Sequence, residues 1–425
     1  MTEPNSNNQY DAIIIGSGTC GATIARELSR QHKKVLILEK GGDDPLSETL
    51  PGIAPILNEV SVGPKLKDMR GVTTGGTTAL YFGVAALPPF DTFSALGIDL
   101  TQDYEEAKKE LPINYLPDEV FGPQSLKLRD SAQELGYSWE KQLMLIDADK
   151  CKTGYSYEAK WKAKSFVEDA VKNGATLVNK AEVTKIIFQD GKAIGVEYKQ
   201  KKKRKFSKPN ICNVYGEKII LAAGVLASPQ ILKKSGVKNV ANRGFYFDPN
   251  QVYFGLIPNL NSRNNFVGAM ETNLEEDITL GDANIPKLLY KFLMISMLKP
   301  KHFFSFSKSI GIGVKVHEPM GGELLENGKY HKKVSEDVLV KLKRGGEAAI
   351  EILKNAGATH IVKSPVNVTS TGGVLKINEH VDSSLQTEFK NLYVCDRSIL
   401  PDTFRKPPTL TLVCLGKYLA RRLWA

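Results

Sequence analysis

The run from Asp11 to Glu39 constrains this 425-residue chain more than any other stretch. Asp11-Ala-Ile-Ile-Ile-Gly16 is a short apolar segment, the pattern of a parallel strand buried on both faces. It leads directly into Gly16-Ser17-Gly18-Thr19-Cys20-Gly21, a GxGxxG, and then into helix-forming Ala22–Gln31 with Ile24, Ala25 and Leu28 on one face. Val35-Leu-Ile-Leu is a second strand closed by Glu39, 18 positions beyond Gly21. Each piece has a physical task. Gly16 permits the tight turn, Gly18 lets the backbone approach a pyrophosphate, and Gly21 lets helix and strand pack closely. The helix N-terminus offers unpaired N–H groups and a positive dipole end to the phosphates. An acid closing the second strand accepts hydrogen bonds from both ribose hydroxyls and repels a 2′-phosphate. The pattern predicts a dinucleotide site in an α/β fold, and FAD and NAD satisfy it equally.

The rest of the composition narrows the class. A hydrophobic share of 42% and a charged share of 24% are ordinary globular usage, and the length suits two domains. Met1–Gln9 is polar and unlike a secretory signal, and no window holds eighteen uninterrupted apolar residues. The five cysteines (Cys20, Cys151, Cys212, Cys395, Cys414) are scattered, odd in number and form no CxxC, which predicts reduced thiols in a cytoplasmic protein. Part of the net charge of +10 is local, in Lys199, Lys201, Lys202, Lys203, Arg204, Lys205 and Lys208. That run lies between strand-like Ala193–Tyr198 and Asn213–Leu221, so it reads as a solvated hairpin tip rather than a nucleic-acid surface. No His, Cys and carboxylate cluster has metal-ligand spacing, so no metal is expected.

Three further segments carry pattern. Arg70-Gly-Val-Thr-Thr-Gly75-Gly76-Thr77-Thr78-Ala-Leu-Tyr81-Phe-Gly83 is rich in glycine and threonine, suited to laying backbone N–H groups against a flat polar ring. Lys218-Ile-Ile-Leu-Ala222-Ala223-Gly224-Val-Leu-Ala-Ser228-Pro229 reads as a buried strand, a glycine stop and a helix with proline near its start. Asn391-Leu-Tyr-Val-Cys395-Asp396-Arg-Ser398-Ile-Leu-Pro401 is a strand ending in an acid, followed by helix-like Leu410–Leu423.

In order and spacing these segments resemble the glucose-methanol-choline (GMC) family of FAD-dependent oxidoreductases along nearly the whole chain. The GSGTCG with Glu39 is similar to the family's FAD motif, GGTTALYFG to its first signature and AAGVLASPQILKKSG to its second. NLYVCDRSILP is similar to its C-terminal strand, and the Cys151–Trp161 stretch to the "GAKW" region of shorter members. The resemblance implies an α/β protein with a Rossmann-like FAD-binding domain and a second, smaller α+β substrate domain, with FAD held extended and non-covalently. It also implies the contacts. Gly16, Ser17, Gly18, Thr19, Cys20 and Gly21 face the pyrophosphate, and Glu39 with Lys40 the adenosine side. Val183 meets the adenine through its backbone. Gly75, Gly76, Thr77 and Tyr81 line the isoalloxazine, Ala223 and Gly224 flank the cofactor, and Asp396 and Thr409 lie on its ribityl and ring side.

The catalytic pattern departs from that family. Alcohol oxidation needs a base for the hydroxyl proton while hydride leaves for the flavin. Counting back from Asp382, Ser370 stands where the family's histidine belongs, and Arg405 or Lys406 where a second His or Asn belongs. Three readings remain open: a displaced motif with Asn367 or Thr369 in play, electrostatic work by Lys406 or Arg405, or lost dehydrogenase chemistry. His317, after strand-like Gly311–Val316, reads as an exposed strand-end residue, with approach to the flavin as the other reading; His380 sits two positions before Asp382, away from the family's catalytic place. His32, His302, His331 and His360 carry no assigned role.

The expected activity is oxidation of a CH–OH group of a small molecule, as a dehydrogenase with an unidentified electron acceptor. The alternatives are another redox reaction, such as double-bond or carbonyl reduction, or a non-catalytic flavin-binding protein. The expected FAD-binding domain is assembled from 10–85, 160–240 and 385–425, and the substrate domain from 86–159 and 241–384. Glu336–Ala356 reads as a helix capped by Ser335 and stopped near Gly357, interrupted in pattern by Gly345-Gly346. Pro286–Phe306 is apolar and lysine-studded: a segment for peripheral membrane contact, or a helix over the substrate cavity or in a dimer interface.

Overall fold

The computed structural model describes residues 9–152, 154–201, 208–242 and 244–424. Two large sheets organise them. The first has seven strands in the order Thr176–Val178, Val35–Leu38, Tyr10–Ile15, Asn210–Leu221, Lys192–Gln200 and Ala181–Gln189, with Leu392–Val394 beside Asn210–Leu221. Val35–Leu38, Tyr10–Ile15, the far half of Asn210–Leu221 and Leu392–Val394 run parallel, and their apolar side chains are buried, as continuous apolar runs require. The near half of Asn210–Leu221 pairs antiparallel with Lys192–Gln200, from Gly195↔Tyr215 to Gln200↔Asn210. The basic run therefore joins two hairpin strands, although Lys202, Lys203, Arg204 and Lys205 themselves lie outside the described residues. All five cysteines are free thiols.

The helix Thr19–Arg30 packs its Ile24, Ala25 and Leu28 into the core of this sheet. Against it lies the C-terminal helix Thr409–Arg422, close enough that a Cβ on Gly416 would sit 2.8 Å from Thr23. An ionic knot sets the contact. Lys417 reaches Glu27 at 3.0 Å and Glu110 at 2.8 Å, while Arg26 reaches Glu110 at 3.0 Å. The Lys417 side chain is 3% exposed, so its charge is compensated almost wholly by these carboxylates.

The second sheet has ten strands. Its main order is Leu57–Gly63, Leu66–Gly71, Asn367–Gly372, Phe245–Leu256, Ser309–Val316, Ile278–Asp282, Met270–Glu275 and Glu140–Lys141. Leu57–Gly63 and Leu66–Gly71 precede the Gly75-Gly76 loop in the chain, yet pair into this second sheet. One face is covered by the helix Glu336–Asn355, whose first turn is capped by the Ser335 hydroxyl accepting from Val338 N. Gly345-Gly346 does not break that helix. A Cβ at Gly346 would lie 2.1 Å from the Tyr253 hydroxyl oxygen and one at Gly345 2.5 Å from Val314, so the pair lets helix and sheet touch.

Alternation on Ser309–Val316 separates the two faces. Ile310, Ile312, Val314 and Val316 are fully buried, with Val314 against the covering helix. Gly311, Gly313, Lys315 and then His317 occupy the opposite face. Gly281 pairs with Gly313 and Asn250 with Lys315, so this second face is low in relief and polar along one edge.

The ionic knot gives a pH signature. Burial alone would raise the Glu110 carboxyl, but Lys417 and Arg26 bring it from 4.5 down to about 2. A depressed carboxyl stabilises the fold above its unfolded value and loses that contribution as pH falls from 4.5 to about 2. Lys417→Met is expected to lower unfolding free energy by about 3 kcal/mol at neutral pH. It should also flatten the acid limb, as read from urea melts across that pH range.

Candidate functional site

The turn between the first strand and first helix is held by one carboxylate. Glu39, 6% exposed, accepts from Ser17 N at 3.0 Å and Ser17 Oγ at 2.7 Å through Oε2, and from Gly41 N at 2.7 Å through Oε1. Burial raises its carboxyl, and these bonds with Lys40 pull it back down. Gly16 takes φ +98°, and a Cβ on Gly21 would stand 2.0 Å from the Gly16 carbonyl oxygen. Both positions are closed to any side chain. At Gly18, by contrast, a Cβ would meet nothing within 4 Å. The first intrahelical donor is Ala22, bonding to Gly18 O at 2.8 Å, so the amides of Thr19, Cys20 and Gly21 precede the ladder and point out of the helix end.

Other segments converge on this turn. Gly75 N donates to Ser17 Oγ at 3.2 Å, and a Cβ on Gly76 would lie 3.0 Å from Gly18 Cα. The Gly75-Gly76 loop thus sits against the turn. Thr77 Oγ1 accepts from Gly71 N at 3.2 Å, and the Tyr81 hydroxyl donates to Trp161 O at 2.6 Å. Burial pushes the Tyr81 phenol well above its ordinary range, so it stays a neutral donor. Cys20 Sγ donates to Leu412 O at 3.3 Å, which brings Thr409 and the start of the C-terminal helix beside the start of the first.

Asp396 ties the remaining edge. Its Oδ2 accepts from Gly224 N at 2.9 Å and from the Ser228 hydroxyl, and its Oδ1 from Ser398 N at 2.8 Å. Ala223 N donates to Ser228 Oγ at 3.2 Å. Ser228 is therefore a structural partner that the motif contained but that sequence reasoning gave no role. Val183 is 8% exposed on the strand Ala181–Gln189, whose start lies beside Glu39 through Ala181 N to Glu39 O at 2.9 Å. Lys40 turns outward into an ion pair with Glu182 at 2.9 Å.

The cradle fits FAD on these observations. Open space at Gly18, free first-turn amides and a buried ribose-side acid converge with the Gly75-Gly76 loop and the Asp396 clamp. The sequence profile of the GMC oxidoreductase family matches residues 10–257, more than half of the chain. The chain belongs to that family of FAD-dependent oxidoreductases. It is 26% identical to an uncharacterized protein, MJ1450, of Methanocaldococcus jannaschii, over 97% of this chain and 100% of that one. It is 21% identical to the long-chain-alcohol oxidase FAO1 of Arabidopsis thaliana, over 100% of this chain and 68% of the relative. Formate oxidase of Aspergillus oryzae RIB40 has the same fold, with a TM-score of 0.69 at 13% identity over 99% of each chain. As a GMC oxidoreductase the protein uses FAD for oxidation of a small-molecule substrate.

The residues expected at the chemical step are dispersed. Ser370 takes φ +61° within Asn367–Gly372 and is half-buried. Arg405 is exposed and paired with Asp277. Lys406 is exposed, and its charge reaches Glu271, whose carboxyl is raised by burial and lowered by Lys315 and Lys406. Thr369 is exposed, with its hydroxyl 3.4 Å from Asp248 O, and Asn367 Nδ2 lies 3.5 Å from Pro365 O.

His317 departs from the exposed strand-end expectation. Its side chain is 8% exposed and Nδ1 lies 3.0 Å from Asp248 Oδ1, itself on a side chain 6% exposed. The two face each other across neighbouring strands on the side of the second sheet away from the helix Glu336–Asn355. Asp248 also pairs with Thr369, next to Ser370, so the histidine reaches the neighbourhood of the empty motif position from a different strand. The Tyr246 ring lies 5.4 Å from the imidazole. Arg397, adjacent to Asp396, is held below its ordinary value by burial; Tyr246, Asp248 and Asp68 pull it up and Arg70 pushes it down. Arg397 thus feels these groups while standing next in the chain to Asp396 of the cradle. No short-range signal marked Asp248, 69 positions from His317. Among the described residues no group of three or more His, Cys, Asp or Glu is arranged to hold a metal ion.

Gly18 and Gly21 separate folding from cofactor binding. Gly18→Val is expected to leave the apoprotein melting temperature nearly unchanged while abolishing the flavin absorbance of the purified protein. Gly21→Ala is expected to destabilise the apoprotein itself by about 2 kcal/mol or more, because its Cβ meets a carbonyl.

Proposed function

We propose that the chain oxidises a CH–OH group, with His317, oriented by Asp248, taking the hydroxyl proton. Bound FAD supplies the hydride acceptor in this chemistry. The observation that carries the reading is the buried His317–Asp248 pair beside Arg397. A carboxylate only accepts hydrogen bonds, so the Asp248 contact fixes the proton on Nδ1 and leaves the Nε2 lone pair as base. That division of work matches what a positioned general base needs: a neutral acceptor, a fixed ring and little water. Ser370 cannot replace it, since an unperturbed hydroxyl is not a base at neutral pH. In the same reading Lys406 and Arg405 contribute charge at the edge of the same sheet rather than proton transfer, and residues 10–85, 160–240 and 385–425 hold the cofactor while the remainder forms the substrate part.

The long-chain-alcohol oxidase among the relatives supports an alcohol as donor. Passing electrons to an acceptor other than oxygen remains part of the proposal, with the acceptor's identity unspecified.

The test is anaerobic mixing of the yellow holoprotein with panels of alcohols, sugars and lipids. Bleaching by an alcohol supports the reading. Bleaching only by an added reductant, followed by reoxidation with an unsaturated acceptor, replaces it with a reductive role, and indifference to every compound replaces it with a non-catalytic flavoprotein. His317→Gln should slow flavin reduction by about a hundredfold or more with FAD content intact; a wild-type rate removes the histidine. Lys406→Met should change the rate by less than about tenfold, equivalent to ~1.4 kcal/mol, and a larger loss moves the lysine into the chemical step.

A further inference from the structure

The helix Lys287–Ser296 and the turns after it have two unlike sides. Inward, Tyr290 and Met294 are fully buried and Phe306 nearly so, and Tyr290 meets Phe254 edge-on with ring centroids 5.5 Å apart. Outward, Phe292 is 50% exposed, Ile295 55%, Leu298 86% and Phe304 84%. All four are large apolar side chains, left open to solvent among the described residues. Phe292 and Ile295 are three apart on the helix and share a face; Leu298 sits at its end in the left-handed region at φ +57°. Lys291 Nζ stands 4.7 Å from the centre of the Phe303 ring and 5.6 Å from that of Phe304, which holds the aromatic turn against the helix.

The charge that the segment itself carries has one sign. Between Asp282 and Glu318 the sequence has no acidic residue, while Lys287, Lys291, Lys299, Lys301, Lys308 and Lys315 fall inside the interval. Among the described residues the first five of these make no ion pair. Large apolar side chains ringed by uncompensated lysines suit a surface whose headgroups are anionic and whose interior is apolar. A water-facing patch of this kind would otherwise be a liability. No helix among the described residues is long and apolar enough to cross a membrane.

We infer that Phe292, Ile295, Leu298 and Phe304 form a docking surface for an anionic phospholipid bilayer. The apolar side chains enter the headgroup–acyl boundary and the lysines stay with the phosphates. The inner side of the same helix packs on Phe254, which lies on the strand that also carries Asp248. Docking would therefore place the lipid boundary beside the sheet face that carries Asp248; that last clause rests on the reading of His317, whereas docking itself does not.

The experiment is sedimentation of the full-length holoprotein with phosphatidylcholine vesicles and with phosphatidylcholine–phosphatidylglycerol vesicles. Binding is expected to the anionic vesicles at about 0.1 M salt and to weaken at about 0.5 M. Phe292→Ser combined with Phe304→Ser should reduce partitioning at least about tenfold, with flavin absorbance and melting temperature kept because the inward side chains are untouched. The lysine run at 199–208 is intact in that variant, so it cannot account for the loss. Absence of binding to anionic vesicles at low salt overturns the inference, as does a variant that binds like the wild type. A wild-type dimer that becomes monomeric in the variant, with no vesicle binding, overturns it in favour of a second copy of the chain. Alcohol-driven bleaching in detergent-free buffer is unaffected by either result, so the two proposals fail separately.

Discussion

The Glu39 carboxylate is the interaction on which the rest of the cofactor site depends. Removing such a charge from water costs several kcal/mol, and three hydrogen bonds at 2.7–3.0 Å from Ser17 and Gly41 offset it. In being satisfied, the carboxylate fixes the glycine turn in the one shape that leaves the first-helix amides pointing outward. Ser17 then accepts from Gly75 N, so the second glycine loop is registered against the first through the same side chain. A carboxylate has about four acceptor sites, of which three are used here, so capacity remains for a ribose hydroxyl.

A second constraint works at longer range. The C-terminal segment must reach back over both sheets, because Asp396 closes the Gly224 turn while Thr409 begins the helix packed on Thr19–Arg30. Lys417 and its carboxylates hold that helix in place from the far end. Between these two anchors the chain carries Arg397, Arg405 and Lys406, which act on Asp248, Asp277 and Glu271 of the second sheet and its turns respectively. The polar edge of that sheet face is thus assembled from distant parts of the chain.

The first helix, its glycine turn and the strand ending in Glu39 were legible because all their information is local: strand period, helix period and a fixed offset to an acid. The Asp396 strand and the helix Glu336–Asn355 were legible for the same reason, although Gly345-Gly346 argued against the latter's continuity. Those glycines answer a contact with Tyr253 and Val314 on another element, which no reading of helix propensity contains. Pairing of Leu57–Gly71 into the second sheet was equally hidden, since edge pairing is decided by the partner strand. His317 was misjudged as exposed because burial of a polar side chain depends on finding an acceptor, and its acceptor is across a strand.

The sequence by itself determined the dinucleotide turn, the acid that clasps it and the family to which they belong, since backbone geometry and short-range spacing dictate these. Only the tertiary structure decided which groups share one face of the second sheet, that His317 packs against Asp248, and that Arg405 is spent on Asp277. The physical reason is the same throughout. Ionisable side chains take their roles from the charge and water around them, and those surroundings exist only once strands far apart in the chain have been laid side by side.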